Sequence, residues 1–588
     1  MIFIILSWIY ISIIFFSFGI VCTVIVDRLA GRDKTVSDNF VVPHVSMLFI
    51  GGIVFTAIIA SALSLFMPLS LIANFIMFST AIVLMFVFRQ KVFACLTEYR
   101  NGIKDTHWSF VLLFGAFVLL AAYLSSLPSS HNDDGLYYAT TIKWIEEYGS
   151  VKGLANVNPR IGFNSNWHVL QALFSFHYFH AANFNDLNGL LLIILFPYCL
   201  RGFGRLLKND HRIATIASVL FFLPLIAFHF GSSSDFIFFN VNFLSAPAAD
   251  LAVCSLIWIT LIRFIELDNE DVPDRGRRMV FIILVSTFLF TVKSSAAPLL
   301  MTCIFFFAVY LYKKQFSRFV YVALLCFAVA APWITRNIII SGYPIFPLSL
   351  TDVLQVDWKL PVQHVKWFEN AVKVYAIDPT YDLNKPFTLT FSEWFPAWFG
   401  RLKYIQSVIV AFSAVSIVVF VLIFLFRLLR DAKSFLVGNG HLILSIIIAV
   451  AGSFFWLLKG PDPRLGYGFT GMLSMLMISV MLNYFLGPYV KYAAYVLVII
   501  FYSILLFHYN DKWKDVFRYL VRPLPERRMP KSFTEVTLNN GLKIHLTEDA
   551  DCWYMPLPVT TKNEFYTIQP VQRGKSIQDG FKTIQKNN

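Results

Sequence analysis

Charge is scarce in this sequence. Only 14% of its 588 residues are Asp, Glu, Lys or Arg, where a soluble domain carries about 25%. So few charges cannot clothe a chain of this length in water, and a soluble globular protein is excluded. Cysteine is sparse as well: there are seven, and six of them (Cys22, Cys95, Cys199, Cys254, Cys303 and Cys326) lie in or beside apolar runs. Their scattered spacing supports neither a disulfide framework nor a zinc site. No glycine-rich phosphate loop, zinc-protease helix motif, soluble catalytic domain or clear internal repeat is present, which argues against an ATP-driven pump. The first apolar run begins without a basic segment before it or a small-residue cleavage site after it, so it reads as a retained helix and not a signal peptide.

What the sequence has in abundance is apolar bulk: 57% hydrophobic residues, 62 Phe and a mean hydropathy of +0.65. A span needs about 20 apolar residues, and that length predicts an all-α polytopic membrane protein with about 14 transmembrane helices. They fall near residues 2–26, 45–66, 70–88, 108–127, 184–200, 213–230, 246–265, 279–293, 297–312, 319–335, 406–427, 440–457, 467–487 and 492–508. The two flanking Lys293 are the weakest and read equally as one re-entrant hairpin. The net charge of +13 would suggest nucleic acid in a soluble protein. Here the Lys and Arg fall in short connections (Arg89 to Lys104, Arg201 to Arg212, Lys313 to Arg318, Arg427 to Lys433), the distribution that marks a cytoplasmic face. The basicity therefore encodes topology, and no nucleic-acid partner is expected. The opposite, outer face receives the long loops 128–183, 231–245 and 336–405, the turn at Lys459 to Arg464 and the tail from 509. The tail contains TEVTLNNGLKIHL, two alternating runs about Asn-Asn-Gly, which predicts a hairpin within a small extracytoplasmic α+β appendage.

Polar residues at a membrane edge mark candidate sites. Ser129 to Tyr138 reads SSHNDDGLYY, placing His131, Asp133 and Asp134 directly after a span. The segment that follows, LYYATTIKWIEEYGS with Lys143, is spaced as an interfacial helix. Asp133 or Asp134 would cap it, yet one cap needs one carboxylate. The second must face water, a cation or a substrate hydroxyl. Arg160, Asn164, Asn166 and His168 follow in NPRIGFNSNWH, suited to hydrogen bonding a hydroxylated or phosphorylated ligand. The second outer loop supplies Asp235, placed to flank one reaction centre with the first pair or to share a cation with it, and Asp250, which reads as a helix cap. Lys293, Arg336 and Arg464 lie where cations at the outer face would clamp a lipid phosphate or diphosphate.

These residues resemble the GT-C superfamily, multi-spanning glycosyltransferases that take a sugar from a polyprenyl carrier on the outer face. The resemblance is carried by DDGLYYATTIKW with RIGFNSNWH, PWITRNIIISGYPIFP, GPDPRLGYG, and in the tail CWYMPLPVT with QRGKSIQDGF, and it is nearest to an uncharacterised bacterial family within that superfamily. It implies a GT-C-like core over 108–508, added N-terminal helices over 1–107 and a C-terminal domain over 509–588. It further implies a catalytic base at Asp133 or Asp134, an assisting carboxylate at Asp235, and a donor phosphate held by Arg336, Arg464 and Lys293. His131, Lys143, Arg160, Asn164, Asn166 and His168 are then expected to bind substrate.

The implied reaction is inverting transfer of a hexosyl or pentosyl group from a polyprenyl phosphate or diphosphate to a hydroxyl of a glycan, lipid or protein. It would serve surface-polysaccharide or glycoconjugate assembly at the outer face of a bacterial cytoplasmic membrane. A divalent metal, Mg or Mn, is compatible with such a site and not required by it; His131, Asp133 and Asp134 lack a distinctive ligand spacing. Two other readings share the membrane logic: a polymerase or ligase of lipid-linked glycans, and a glycolipid transporter or flippase, which would be expected to show mid-span polar residues and paired repeats. Cys552 reads as a buried packing residue and not a nucleophile.

Overall fold

The computed structural model describes residues 1–31, 40–129, 131–182, 186–221, 243–269, 274–382, 385, 387–493, 495–496, 499–500, 503 and 524–584. Asp235, most of loop 231–245, the later part of the span at 213–230 and, within 492–508, residues 494, 497–498, 501–502 and 504–508 lie outside them. The chain is mostly helical, with a small strand region near the C-terminus. The helices are α1 (Ile2–Leu29), α2 (Val45–Leu63), α3 (Leu71–Val87), α4 (Arg89–Lys104), α5 (Trp108–Ser125), α6 (Ala139–Glu147), α7 (Asn166–Leu173), α8 (Leu187–Leu207), α9 (Ile213–Leu220) and α10 (Asp250–Ile265). After them come α11 (Arg275–Val292), α12 (Met301–Tyr312), α13 (Phe316–Ser341), α14 (Val362–Ile377), α15 (Phe391–Arg401), α16 (Tyr404–Gly438), α17 (Gly440–Lys459), α18 (Pro463–Leu486) and, in the tail, α19 (Lys562–Ile568).

Among the described residues nine helices are long and apolar enough to cross a membrane, or up to ten if the pair α3 and α4, bent by 87°, is one span. The difference from about fourteen has identifiable sources. α10 is only 16 residues long, α11 carries Arg275, Arg277 and Arg278 in its first turn, and two expected spans run into residues outside the description. Outward faces of the long helices are apolar: Val415, Val418, Leu422 and Phe426 of α16 are all more than half exposed. An apolar surface of that extent is unstable against water and suits lipid.

One core joins the first helices to the rest. Ser7 donates to Asp186 Oδ2 at 2.6 Å and Trp8 Nε1 to the Asp186 carbonyl at 3.0 Å, which fastens α1 to the start of α8. A second core contains Trp144, Val151, Leu154, Tyr343, Phe346, Leu546 and Phe581, so it is shared between the loop after α5 and the tail. In the tail β1 (Phe533–Thr537) pairs antiparallel with β2 (Lys543–Thr547), and β2 pairs parallel with β3 (Val559–Thr561). Gly541 takes φ +86° in the hairpin turn, a conformation open to glycine at little cost. β4 (Pro570–Gln572) and β5 (Phe581–Thr583) form a separate two-stranded ribbon.

α6 departs from the interfacial helix expected of it. Ala139 to Ile142, Trp144, Ile145 and Glu146 are all buried, because the tail covers the side that would otherwise meet lipid headgroups. Trp144 packs edge-on against Phe581 rather than anchoring at an interface.

Candidate active site

The chain leaves α5 and makes a π-helical turn at Asp134–Tyr138 before entering α6. Such turns are rare and recur at functional sites. Neither Asp133 nor Asp134 caps the helix: no side-chain cap bond forms there, and the two carboxylates point into separate surroundings. His131 Nδ1 accepts the Asp133 backbone N–H at 3.1 Å and thereby does the capping.

Asp133 meets the far end of the chain. Its Oδ2 lies 2.8 Å from Arg464 Nη2 and accepts the Tyr138 hydroxyl at 3.3 Å. Arg464 stands at the start of α18, where Asp462 supplies the N-cap and Pro463 the first helical position, a favoured combination. The same guanidinium donates from Nε to Asp462 Oδ2 at 3.0 Å, and its Nη1 lies 2.9 Å from His131 Nε2. Burial alone would raise the Asp133 carboxyl, but the Arg464 charge overrides it and holds the group below its ordinary value, ionised. His131 is pushed down to about 4, first by burial and then by Arg464, so its ring is neutral.

Asp134 has the opposite fate. It is 3% exposed, accepts the Ser129 hydroxyl at Oδ2, and its Oδ1 has no hydrogen-bond partner. Burial pushes it up to about 8, the neighbouring Asp133 charge adding to the effect. Adjacent carboxyls whose surroundings drive them apart in this way separate into an ionised and a protonated partner.

A second ion pair borders the same region. Asp250, expected to cap α10, is instead its first helical residue without a capping bond, and its Oδ1 accepts Lys293 Nζ at 2.6 Å. Lys293 can reach it because the chain is extended there, between α11 and the 3-10 turn Ser294–Leu300. Both Asp250 and Lys293 act electrostatically on His131 and on His168. His168 is 3% exposed with neither ring nitrogen hydrogen-bonded; its ring lies 4.7 Å from that of Tyr138. Burial holds it down to about 3, so it stands as a neutral, unsatisfied imidazole beside the ion pairs.

The structure thus brings together His131, Asp133, Asp134, His168, Lys293 and Arg464, with Asp250, Asp462 and Tyr138 added to them. It does not bring Arg336 to Arg464: Arg336 is 1% exposed and donates to Asn164 Oδ1 at 3.0 Å, Ser64 Oγ at 2.6 Å and Ser150 Oγ at 3.0 Å. Asn166 donates to Thr291 at 2.8 Å. Arg160 pairs with Glu564, and Lys143 donates to the Tyr554 and Met555 carbonyls at 2.9 and 3.1 Å, so these two fasten the tail. The strap Asp551 to Met555 lies over the π-helical turn, with the Cys552 and Trp553 N–H groups both donating to the Gly135 carbonyl, at 2.8 and 3.1 Å. Cys552 is fully buried. A cavity of about 150 Å³, lined by Ser129, Glu526, Arg528, Trp553 and Tyr554 among others, opens at Ser129, whose hydroxyl Asp134 accepts. Among the described residues no group of three His, Cys, Asp or Glu is arranged to hold a metal, and Asp133 and Asp250 are already engaged by cations.

Fold and site together define a multi-helical protein, with helices long and apolar enough to cross a membrane and a buried cluster of carboxylates, cations and histidines at one end of its bundle under a C-terminal cover. The chain belongs to the family described as Domain of unknown function (DUF8201), whose profile matches residues 1–471. No curated protein and no solved structure gives a match.

Proposed function

We propose that the protein is an inverting glycosyltransferase of the GT-C type. It would move a sugar from a polyprenyl phosphate or diphosphate to an acceptor hydroxyl at the outer face of a bacterial cytoplasmic membrane. The observation that carries this reading is the contact between Asp133 and Arg464, a candidate base held against a candidate leaving-group cation next to an unsatisfied histidine. In an oxocarbenium-like displacement one carboxylate suffices when the leaving group is a phosphate. The donor phosphate competes with Asp133 for the Arg464 guanidinium, which takes phosphate oxygens two at a time. Once Arg464 has turned to the phosphate, Asp133 loses its partner and is free to accept the proton of the acceptor hydroxyl as that oxygen attacks the anomeric carbon. Lys293 carries the second charge of a diphosphate, and His168 offers a hydrogen bond to sugar or acceptor. Asp134, neutral, shapes the turn and does not serve as the base.

The test is transfer from radiolabelled polyprenyl-phosphate sugars by purified protein in nanodiscs. Asp133→Asn is expected to lower transfer by about 10² to 10⁴-fold, the usual worth of a positioned base, with thermal stability retained; transfer unchanged in a folded Asp133→Asn protein overturns the assignment. A glycolipid transporter is the second reading, favoured by the closure of both ion pairs across the bundle end, as in a gate. Movement of lipid-linked glycan across proteoliposomes without turnover would select it.

A further inference from the structure

A different cluster occupies the other end of the bundle. The 16 residues of α10, about 24 Å of helix, separate Asp250 from Glu266. The Glu266 carboxylate is buried and receives three guanidiniums from three helices: Arg205 of α8 at 2.8 Å, Arg278 of α11 at 2.6 Å, and Arg263 of α10. Arg205 also reaches Asp210 at 2.8 Å, which Arg212 shares at 2.7 Å. Arg201, one turn before Arg205, is exposed and makes no ion pair or hydrogen bond among the described residues. Asp268 turns away, accepting the backbone N–H groups of His441 and Leu442 at 2.8 Å each. Five arginines thus face two carboxylates, an excess of three positive charges. Each guanidinium brings five donors to a carboxylate with about four acceptor positions, so donors remain unused. Tyr198 lies in the field of Glu266, Arg263, Arg201 and Arg205, and its buried hydroxyl has no partner.

An apolar groove of about 650 Å³ runs from the same end, lined by Ile213, Phe420, Leu425, Leu442, Val450 and Val480, with Arg427 at its wall. The chain ties it to the cluster at two points: Ile213 follows Arg212, and Leu442 is held by Asp268, two residues beyond Glu266. A cationic cluster beside a groove in the apolar part of the bundle fits an amphiphile, since a soluble anion would leave the groove unused and a zwitterionic headgroup would bring its own cation to a cluster already in excess. We infer that this end of the bundle binds an anionic phosphate lipid. Its headgroup would lie on Arg201, Arg205 and Arg212 with the Tyr198 hydroxyl behind them, and its acyl chain in the groove between α16 and α17. Basic pockets between membrane helices take lipid phosphates by this chemistry. The inference does not rest on the glycosyltransferase reading, and the site lies in the leaflet opposite Asp133.

The test uses the delipidated full-length protein in detergent, melted with phosphatidylglycerol, with phosphatidylcholine of the same acyl chains, or with inorganic phosphate. Phosphatidylglycerol is expected to raise the melting temperature saturably, well beyond either of the others. The Arg201→Gln/Arg212→Gln double variant should need about tenfold more phosphatidylglycerol for the same rise, as the loss of a charge-assisted contact implies. Val450→Trp, which fills the groove without touching an arginine, should weaken the response as well and serves if the double variant does not fold. An equal rise with phosphatidylcholine, the full rise with inorganic phosphate alone, or a wild-type response in the variants would each overturn the proposal.

Discussion

At the scale of residues, the governing contrast is between Asp133 and Asp134. They are neighbours in the chain, but the π-helical turn aims one at Arg464 and the other at Ser129 in a buried enclosure. The sign of the pH effect at Asp134 follows from its surroundings. Its folded value of about 8 stands above the ordinary 3.8, so the folded protein holds a proton that the unfolded chain releases between those values. Stability contributed by that proton is complete below about pH 4 and is lost as pH rises through about 8, at up to about 1.4 kcal/mol per pH unit. Asp134→Asn keeps the neutral shape and removes the ionisation. Its melting temperature should match wild type near pH 4 and exceed it by a growing margin up to pH 9; a variant less stable than wild type at pH 9 would mean that Asp134 is ionised in the fold. The acidic pair was legible in the sequence, because two carboxylates at a membrane edge exceed what one helix cap needs. Asp250 was not, since a lone Asp at the start of a helix carries the same local pattern whether it caps the helix or turns to a lysine 43 positions away.

At the scale of elements, the π-helical turn depends on the tail. The Gly135 carbonyl receives two N–H groups from the strap, Thr140 donates to the Trp553 carbonyl at 2.9 Å, and Arg527 clamps the buried Glu146 at 2.8 and 3.1 Å. Trp553 adopts φ +46°, uncommon for a bulky residue and sustained where surrounding contacts over-determine the backbone. Gly135 is required by this closeness, because a Cβ there would stand 2.5 Å from Asp551 Cγ and 2.7 Å from the Trp553 ring. Gly135→Ala should therefore lift the strap, exposing the Arg527-Arg528 pair to trypsin while the tail hairpin stays folded. Unchanged trypsin resistance would show that the strap is not held at Gly135. Nothing local announces this docking. The hairpin at Asn539 to Gly541 could be read from its turn residues, whereas CWYMP and DDGLYY lie more than 400 residues apart and meet only because the tail folds back over α6.

At the scale of the whole molecule, apolar run lengths were enough to establish a many-helix bundle suited to a membrane, but not the number of its spans. A short helix buried on every side, such as α10, looks like a span when hydropathy alone is counted, whereas Ser294–Leu300 with α12 is long enough for one only when the 3-10 turn and the helix are taken together. Orientation is a separate matter, resting on where the basic residues collect. Arg201, Arg205, Arg212, Arg263 and Arg278 gather at the end of the bundle remote from Asp133, and that excess should keep this end cytoplasmic. The native cysteines are buried except for the half-buried Cys326, so an introduced thiol reports almost alone. In Lys575→Cys the probe sits on the exposed surface of the tail; in Lys208→Cys it sits beside the arginine cluster. A membrane-impermeant maleimide applied to intact cells should label the first, and the second only after the membrane is opened. The reverse pattern would turn the protein over. It would place the Asp133 site in the cytoplasm and remove the reason for a lipid carrier that presents its sugar outside.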